Sequence, residues 1–299
     1  MQTGGNIKKK SALSAKEKKQ FLKIIRNALK EDIGRGDITT DPIVDMQQQA
    51  LGIIFPKQDG ILCGIDIAKM VFEVLDDQLD FQGKMTDGML FSPGMTIATL
   101  VGPAVSCLKG ERTALNFLQH LSGIATLTSK FVEATEGNLK ILDTRKTLPG
   151  LRLMEKYAVR TGGGNNHRFG LYDMILIKDN HIEIAGSITA AVEAARKNNR
   201  RAFVEVEVKT FMELDEALAA KINRIMLDNM NHDQLRKAIE IIRTKEAHTE
   251  IEISGGIDLY NIAAYKDSGV DFISVGALTH SAPAIDIAMK LKPLGQGES

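Results

Sequence analysis

The sequence predicts an α/β protein with a small N-terminal mixed-sheet domain and a larger α/β barrel. Strands and helices alternate after residue 140, polar residues follow each of these strands, and the earlier part has short strands punctuated by glycine and proline. Repeated βα units imply parallel strands with right-handed crossovers. This many units favour a barrel over an open sheet.

Composition excludes several classes of protein. The 299 residues are 43% hydrophobic and 25% charged, as in ordinary globular proteins. Because 38 basic residues balance 38 acidic ones, no overall positive field favours nucleic-acid binding. No apolar run reaches the roughly 18 residues of a membrane span. The only cysteines, Cys63 and Cys107, fit a reducing compartment, so we expect a cytoplasmic protein.

The N-terminal domain is expected to span residues 14–137, after a disordered tail at 1–13 that lacks the apolar stretch of a secretory signal. Ser14 and Glu17 have the spacing of a capping box before a helical pattern from about Ala15 to Asp32. Short strands follow at 51–55, 61–62, 79–85, 95–100 and 104–108, around one helix at 65–75. Two further helices are predicted on either side of Ser122-Gly123, at 111–121 and 124–136.

The barrel domain is expected to span residues 138–278. Its six predicted strands lie at 141–142, 174–177, 202–208, 224–227, 250–253 and 272–275. Helices are predicted between them, among them 213–220 and 259–268. A final helix is predicted at 284–291, within a C-terminal segment of about 279–299 that is assigned to the N-terminal domain.

Polar residues cluster at the predicted strand ends, where a barrel keeps its active site. Thr144 follows the first strand, and Glu207 and Asp228 end the third and fourth. A local surplus of cations in a neutral chain indicates a small polyanionic ligand; these cations are Arg145, Lys146, His167, Arg168 and Lys178.

Glycine-bearing turns mark three of the predicted loops. Gly162 to Gly164 precede His167, where the backbone must turn sharply or let a ligand approach. The turns Ser254-Gly255-Gly256 and Val275-Gly276-Ala277 follow the last two strands, where many barrels bind a phosphate through backbone N–H groups. Two such turns at consecutive strand ends are moderately specific for a phosphate.

Several of these residues have an ordinary structural interpretation. Glu205 and Glu207 point to one side of their strand, and a structural pair of Glu205 with a lysine is as plausible as a functional role. Asp228 is equally consistent with a helix cap, and Arg112 with a solvated surface charge. No metal site is predicted from the histidines that lack ligand spacing, which are His120, His181 and His280.

Taken together, the motifs resemble those of the quinolinate phosphoribosyltransferase family, also called carboxylating nicotinate-nucleotide pyrophosphorylase. The resemblance covers the chain from about residue 20 onward and rests on Gly110-Glu111-Arg112, Asp143 to Thr147, Gly162 to Arg168, Lys178 to His181, Glu205 to Glu207, Leu227 to Asn229 and Ser254 to Gly256. It implies an N-terminal α/β sandwich domain and an incomplete TIM-like α/β barrel, usually described with seven strands. A seventh short strand is therefore expected beside the six.

The resemblance also implies an activity. Such a glycosyltransferase (a pentosyltransferase) joins quinolinate to phosphoribosyl pyrophosphate, releases pyrophosphate and carbon dioxide, and makes nicotinate mononucleotide for NAD biosynthesis. It implies homodimers or larger assemblies in which a neighbouring subunit completes each active site. It implies Mg²⁺, bound with the sugar donor.

The resemblance assigns roles to individual residues. The implied catalytic residues are Lys146, Lys178, Glu207 and Asp228. The implied quinolinate ligands are Thr144, Arg145, His167, Arg168 and Lys178, with Arg112 from the partner subunit. The implied ligands of phosphoribosyl pyrophosphate are Lys146, Glu207, Asp228, Ser254, Gly255, Gly256, Val275, Gly276 and Ala277, with Mg²⁺ near Glu207 and Asp228.

Two other functions are consistent with a βα barrel of this kind. Lys178 is a candidate Schiff-base lysine of a barrel lyase, and relatives associated with molybdenum transport share the family's fold. The family resemblance argues against the lyase, and the presence of Arg112, Arg145, His167 and Arg168 favours quinolinate chemistry over a role in molybdenum transport.

Overall fold

The computed structural model describes residues 13–199 and 201–295, which divide between two units. The first unit contains Met1–Leu127, Leu148–Gly162 and Ala282–Ser299, and the second contains Thr128–Thr147 and Gly163–Ser281. The predicted domain boundary near residue 137 stays a prediction. The predicted tail lies outside the described residues except for Leu13, which is buried.

The elements follow one another in two stretches of the chain. The first stretch contains α1 (Ala15–Ile33), α2 (Thr40–Ile43), β1 (Gln49–Pro56), β2 (Gly60–Ile61), α3 (Ile65–Leu75), β3 (Asp80–Gly83), β4 (Leu90–Phe91), β5 (Ala98–Pro103) and α4 (Ala104–Ala134). The second contains β6 (Lys140–Leu142), α5 (Arg152–Thr161), β7 (Ile175–Ile177), α6 (Asp179–Ala185), α7 (Ile188–Asn198), β8 (Val204–Val208), α8 (Phe211–Ala219), β9 (Arg224–Asp228), α9 (His232–Lys245), β10 (Glu250–Ser254), a 3₁₀ turn (Ile262–Tyr265), β11 (Phe272–Ser274), α10 (Ala277–His280) and β12 (Ile287–Pro293).

The first unit is built on a four-stranded antiparallel sheet, in the order β12-β1-β5-β3. Helix α1 begins at the predicted capping box: Ser14 Oγ accepts from the Glu17 N–H at 3.2 Å, and the Glu17 carboxylate accepts from the Ser14 N–H at 3.0 Å. Its buried face consists of Phe21, Ile25 and Leu29, at the helical spacing that the sequence predicted.

Helix α4 corrects the prediction of a strand at 104–108 and of two helices interrupted at Ser122-Gly123. These residues form one helix of 31 residues. Ser122 Oγ accepts from the Cys63 N–H at 3.1 Å, and a Cβ at Gly123 would lie 2.2 Å from the Pro283 carbonyl oxygen. The small residues therefore allow close packing within the first unit and do not end the helix.

The C-terminal segment corrects a second prediction. Residues 284–291, predicted as a helix, contribute instead to strand β12, which pairs antiparallel with β1 from Pro56↔Ile287 to Ala50↔Pro293. The open edge of β1 gives this segment a full set of backbone partners, which outweighs its helical pattern.

The second unit is built on a six-stranded parallel sheet, in the order β6-β11-β10-β9-β8-β7. The six predicted strands are confirmed. Among the described residues β6 and β7 are edge strands, so the barrel is incomplete, as the family resemblance implied. The expected seventh strand does not form there; instead Asn165 makes an isolated parallel bridge with Leu142, next to β6.

Helices α8 and α9 of the second unit begin at side-chain caps. Thr210 Oγ1 accepts from the Glu213 N–H at 3.2 Å, and Asn231 Oδ1 from the Gln234 N–H at 3.0 Å. The predicted helix at 259–268 is only a short 3₁₀ helix at Ile262–Tyr265. Asp258 Oδ1 accepts from the N–H of Tyr260 and of Asn261, as a helix cap does, but the bonds that follow, such as Ala264 N–H to Asn261 O, span three residues and not four. In the part of the chain that the structure describes, every helix is too short or too polar to cross a bilayer.

Candidate active site

A cleft of about 800 Å³ opens where the six parallel strands of the second unit end. Residues after all six strands line it, including Thr144 after β6, Ser254 at the end of β10 and Gly276 after β11. The placement agrees with the general rule that the carboxyl ends of barrel strands carry the chemistry.

The five cations predicted from the sequence all line this cleft: Arg145, Lys146, His167, Arg168 and Lys178. Lys209, which was not predicted, adds a further cation, and His280 also lines the cleft. Burial lowers the pKa of the Arg168 guanidinium, and the neighbouring charge of Arg145 acts in the same direction. An arginine stays protonated at neutral pH even so. The two like charges therefore favour an anion between them.

Acidic residues occupy another part of the lining. Lys178 Nζ donates to Glu207 Oε2 at 2.7 Å, while the other oxygen of Glu207 lies 3.9 Å from Lys209 Nζ. Burial raises the pKa of the Asp228 carboxyl, and the nearby Glu207 carboxylate raises it further. Asn229 Nδ2 donates to Asp228 Oδ2 at 2.8 Å. Asp228 thus lines the cleft beside Glu207, which weakens the alternative that it serves only as a helix cap.

The glycine turns at the strand ends allow the backbone to approach its neighbours closely. Gly255 has a φ of +95°, and a Cβ there would lie 2.2 Å from Asn229 Oδ1. At Gly276 a Cβ would lie 2.9 Å from Lys146 Cδ. Glycine at these two positions therefore brings bare backbone to the edge of the cleft.

Comparisons with known proteins agree with this geometry. Two family models match the chain: "Quinolinate phosphoribosyl transferase, C-terminal domain" over residues 124–290, and the corresponding N-terminal domain over residues 37–122. The chain belongs to the quinolinate phosphoribosyltransferase family. The resemblance inferred from the motifs is confirmed.

Relatives within the family cover nearly the whole chain. A protein of Bacillus subtilis named probable nicotinate-nucleotide pyrophosphorylase [carboxylating] is 45% identical, over 90% of this chain and 93% of its own. A chloroplastic nicotinate-nucleotide pyrophosphorylase [carboxylating] of Arabidopsis thaliana is 41% identical, over 90% of this chain and 82% of its own. The crystal structure of NadC from Streptococcus pyogenes matches with a TM-score of 0.90 and 42% identity, over 96% of this chain and 100% of that chain.

One residue that the family resemblance placed at the site belongs to the first unit. Arg112 is exposed on α4, whereas the residues that line the cleft all belong to the second unit. The lining therefore does not include it. Its implied contribution from a partner subunit stays a prediction.

Several residues that line the cleft were not predicted from the sequence. Lys209 and Asn229 directly follow β8 and β9, so the rule that pointed to Lys178 could have found them. Glu252 repeats on β10 the period-two pattern that singled out Glu205 on β8. No comparable sequence signal marks His280, which lies at the end of the short helix α10.

Glu205 has partners other than the lysine that the structural interpretation expected. It is fully buried, and its Oε2 lies 3.1 Å from His167 Nε2 and 3.8 Å from Arg224 Nη1. Burial raises the pKa of the Glu205 carboxyl. The family resemblance implies that His167 binds substrate, yet its imidazole ring also contacts Glu205 inside the barrel.

Proposed function

We propose that this chain catalyses the reaction for which its relatives are named: quinolinate and phosphoribosyl pyrophosphate give nicotinate mononucleotide, pyrophosphate and carbon dioxide, within NAD biosynthesis. The proposal rests on one observation: the same cleft is lined by a set of cationic side chains and by the carboxylates of Glu207 and Asp228. Such a cleft fits a dianionic pyridine beside a sugar that develops positive charge.

The cationic part of the cleft suits quinolinate. Arg145 and Arg168 present planar guanidinium groups, each able to meet a carboxylate in bidentate fashion. Thr144 and Lys178 line the same cleft. Lys178 is held by its contact with Glu207, so its charge is fixed in place before a ligand arrives.

The remaining part of the cleft suits the sugar donor. We assign Lys146 to the diphosphate, Glu207 and Asp228 to the ribose hydroxyls, and the two glycine turns, at 254–256 and 275–277, to the 5′-phosphate. Lys146 Cδ lies close to Gly276, so one cation is next to a turn with bare backbone N–H groups. A phosphate gains from both.

The acidic pair also fits a magnesium ion carried by the sugar donor. Oxygen ligands are those that Mg²⁺ prefers, and the repulsion that raises the pKa of Asp228 beside Glu207 is relieved by a divalent cation. When bound, the ion supplies charge neutralisation of the pyrophosphate leaving group.

The side chains of this chain then perform the remaining work. The bond between the anomeric carbon and pyrophosphate breaks, and the pyridine nitrogen forms its bond to that carbon. Glu207 and Asp228 stabilise the positive charge that develops there. The 2-carboxylate leaves as carbon dioxide, its electron pair enters the cationic ring, and a proton replaces it at the same carbon. Arg145 and Arg168 hold the ring throughout.

We further propose a homodimer or larger assembly in which Arg112 of one subunit completes the site of another, and a cytoplasmic location. The exposed position of Arg112 on α4 leaves its guanidinium available for such a contact. A Schiff-base role for Lys178 is disfavoured, because its ammonium donates to Glu207 at 2.7 Å and a Schiff base requires the neutral amine.

The full chain should be assayed with quinolinate, phosphoribosyl pyrophosphate and MgCl₂, following carbon dioxide and nicotinate mononucleotide together. We expect equal amounts of both products, and no carbon dioxide when nicotinate replaces quinolinate. Arg145→Ala should weaken quinolinate binding, whereas Arg236→Ala, which removes an exposed arginine paired with Asp233 on α9, should not. Absence of nicotinate mononucleotide, or normal binding by Arg145→Ala, would overturn the proposal.

A further inference from the structure

A cluster of buried charges lies inside the barrel, next to the cleft. Glu205 and Glu252 are fully buried, and the His167 side chain is 6% exposed. His167 Nε2 lies 3.1 Å from Glu205 Oε2 and 3.5 Å from Glu252 Oε2. Arg224 Nη1 lies 3.1 Å from Glu252 and 3.8 Å from Glu205. We call these four residues the interior cluster.

Arg224 is itself firmly held. It stands directly opposite Glu205 on one neighbouring strand and Glu250 on the other. Its Nη2 and Nε donate to Glu250 Oε2 at 2.7 and 2.9 Å, and its guanidinium lies 4.0 Å from the centre of the Phe272 ring. The interior cluster is therefore anchored at the amino end of β9, away from the strand ends that form the cleft.

Spacing alone would also allow a metal ion here. The ligand atoms of His167, Glu205 and Glu252 lie within 4.8 Å of one another. However, the Arg224 guanidinium already faces both carboxylates, so the positive charge that they require is present in the protein. Neither oxygen of Glu205 makes a hydrogen bond within the described part of the chain, so Glu205 is held by the neighbouring charges alone. With Arg224 in place, a scaffold of charged side chains fits the interior cluster better than an ion site.

Both ring nitrogens of His167 face protein groups. Nδ1 accepts a hydrogen bond from the backbone N–H of Arg168 at 2.8 Å, and Nε2 faces the two glutamates. Burial would lower the pKa of His167, but its close contacts with Glu205 and Glu252, and their charges, outweigh this and raise the pKa to about 9. The Arg168 N–H points at Nδ1 and leaves no place for a proton there, so in this geometry the ring is an uncharged imidazole with its proton on Nε2, although the two glutamates favour the charged form.

We propose that Glu205, Glu252 and Arg224 are positioning residues for Arg168. They hold the His167 imidazole, and the imidazole holds the Arg168 backbone, so that the Arg168 guanidinium faces the diacid. This inference rests on the proposed function for the identity of that diacid. It makes His167 a link between the interior cluster and the cleft, in place of the direct ligand that the family resemblance implied.

Two substitutions of His167 separate these roles. In His167→Asn the side-chain oxygen occupies the place of Nδ1 and still accepts from Arg168, whereas in His167→Gln the amide nitrogen occupies the place of Nε2 and the acceptor is lost. We expect the KM for quinolinate to rise about tenfold in the Gln variant and about threefold or less in the Asn variant, with the KM for phosphoribosyl pyrophosphate unchanged. Equal effects, or a larger effect in the Asn variant, would overturn the proposal.

A double-mutant cycle tests the interior cluster itself. Glu205→Gln should raise the KM for quinolinate about two- to threefold, and no more than His167→Asn does, because an amide holds the imidazole less firmly than a carboxylate does. In a His167→Asn background, where the link to Glu205 is cut, the same change should have no further effect. If Glu205→Gln raises the KM equally in both backgrounds, Glu205 acts on the fold in general and not through His167.

Controls keep this test separate from the proposed function. Asp271→Asn makes the same carboxylate-to-amide change in an ion pair with Arg243, before β11 begins, and should leave both KM values unchanged. Arg168→Ala should raise the KM for quinolinate in every case. The proposed function fails if wild-type protein forms no nicotinate mononucleotide, or if Arg168→Ala binds quinolinate normally. If those two results are as expected and only the His167 and Glu205 variants differ from expectation, the inference alone fails.

Discussion

Two groups of charges in the second unit are chemically alike but differently placed. One is the interior cluster, and the other is the set of charged residues that line the cleft at the carboxyl ends of the strands, which we call the rim. Arg145 and Lys146 are exposed at the rim. Glu205 and Glu252 are fully buried, with Arg224 between them. An exposed charge can exchange its water for a ligand, whereas a buried charge must be paired within the protein. Burial thus separates Arg145 and Lys146, which can bind substrate, from Glu205, Glu252 and Arg224, which hold the structure.

The largest effect on stability should come from the interior. Arg224→Met should lower the free energy of unfolding by about 3–5 kcal/mol, because it leaves two buried carboxylates without their guanidinium. Urea unfolding followed by circular dichroism measures the loss. Lys146→Met, at an exposed position of the rim, is the control and should change the free energy by less than about 0.5 kcal/mol. Equal losses from both would remove the distinction between the two regions.

The largest effect on turnover should come from the rim. Glu207→Gln should lower kcat by about 10²- to 10³-fold, because it removes a charge that stabilises the developing cation. The loss of its contact with Lys178 should change the KM for quinolinate much less. Steady-state kinetics with each substrate varied in turn separates the two constants. An unchanged kcat would show that Glu207 does not face the reacting carbon.

A smaller effect is expected when charge is kept but shape is changed. Arg168→Lys should raise the KM for quinolinate about 10- to 100-fold, because an ammonium cannot replace a planar bidentate donor. Calorimetric titration with quinolinate checks the affinity directly. Lys266→Arg, at an exposed ion pair with Glu136, controls for the exchange of lysine and arginine elsewhere in the second unit. An Arg168→Lys variant with normal affinity would mean that this side chain acts only as a point charge.

The smallest effect should be a gain in stability at the rim. Burial and Glu207 raise the pKa of Asp228 in the folded state, so the stability from this group is complete below its ordinary pKa of 3.8 and is lost as the pH rises through the raised value. Asp228→Asn should therefore be more stable than wild type near pH 7, and the difference should vanish below pH 3.8. Urea unfolding at both pH values measures it. A variant that is less stable at neutral pH would contradict the sign.

The rim was predictable from sequence because its residues directly follow strands that the pattern identifies. Arg145 after β6, Lys178 after β7 and Asp228 at the end of β9 all lie where the alternation of strands and helices placed them. One rule, that parallel strands deliver their carboxyl ends to the same side, was sufficient. It also extended to Lys209, which the same pattern could have identified.

The interior cluster was not predictable, because its contacts depend on the register between strands. Glu205 was recognised as buried, but its partner was expected to be a lysine. Only the pairing of β8 with β9 places Arg224 opposite Glu205. Strand β12 shows the same limit, since its pairing with the distant β1 overrode a local helical pattern. Sequence patterns thus indicate which elements form, whereas the pairing between elements distant in the chain is set by the tertiary structure.

The pairing of β1 with β12 has a consequence for synthesis on the ribosome. Strand β1 is made early, yet its partner is the last strand of the described chain. All six strands of the parallel sheet are translated in between. The nascent chain must therefore carry an open strand edge while the barrel is still being made, and such an edge is a site for unwanted pairing.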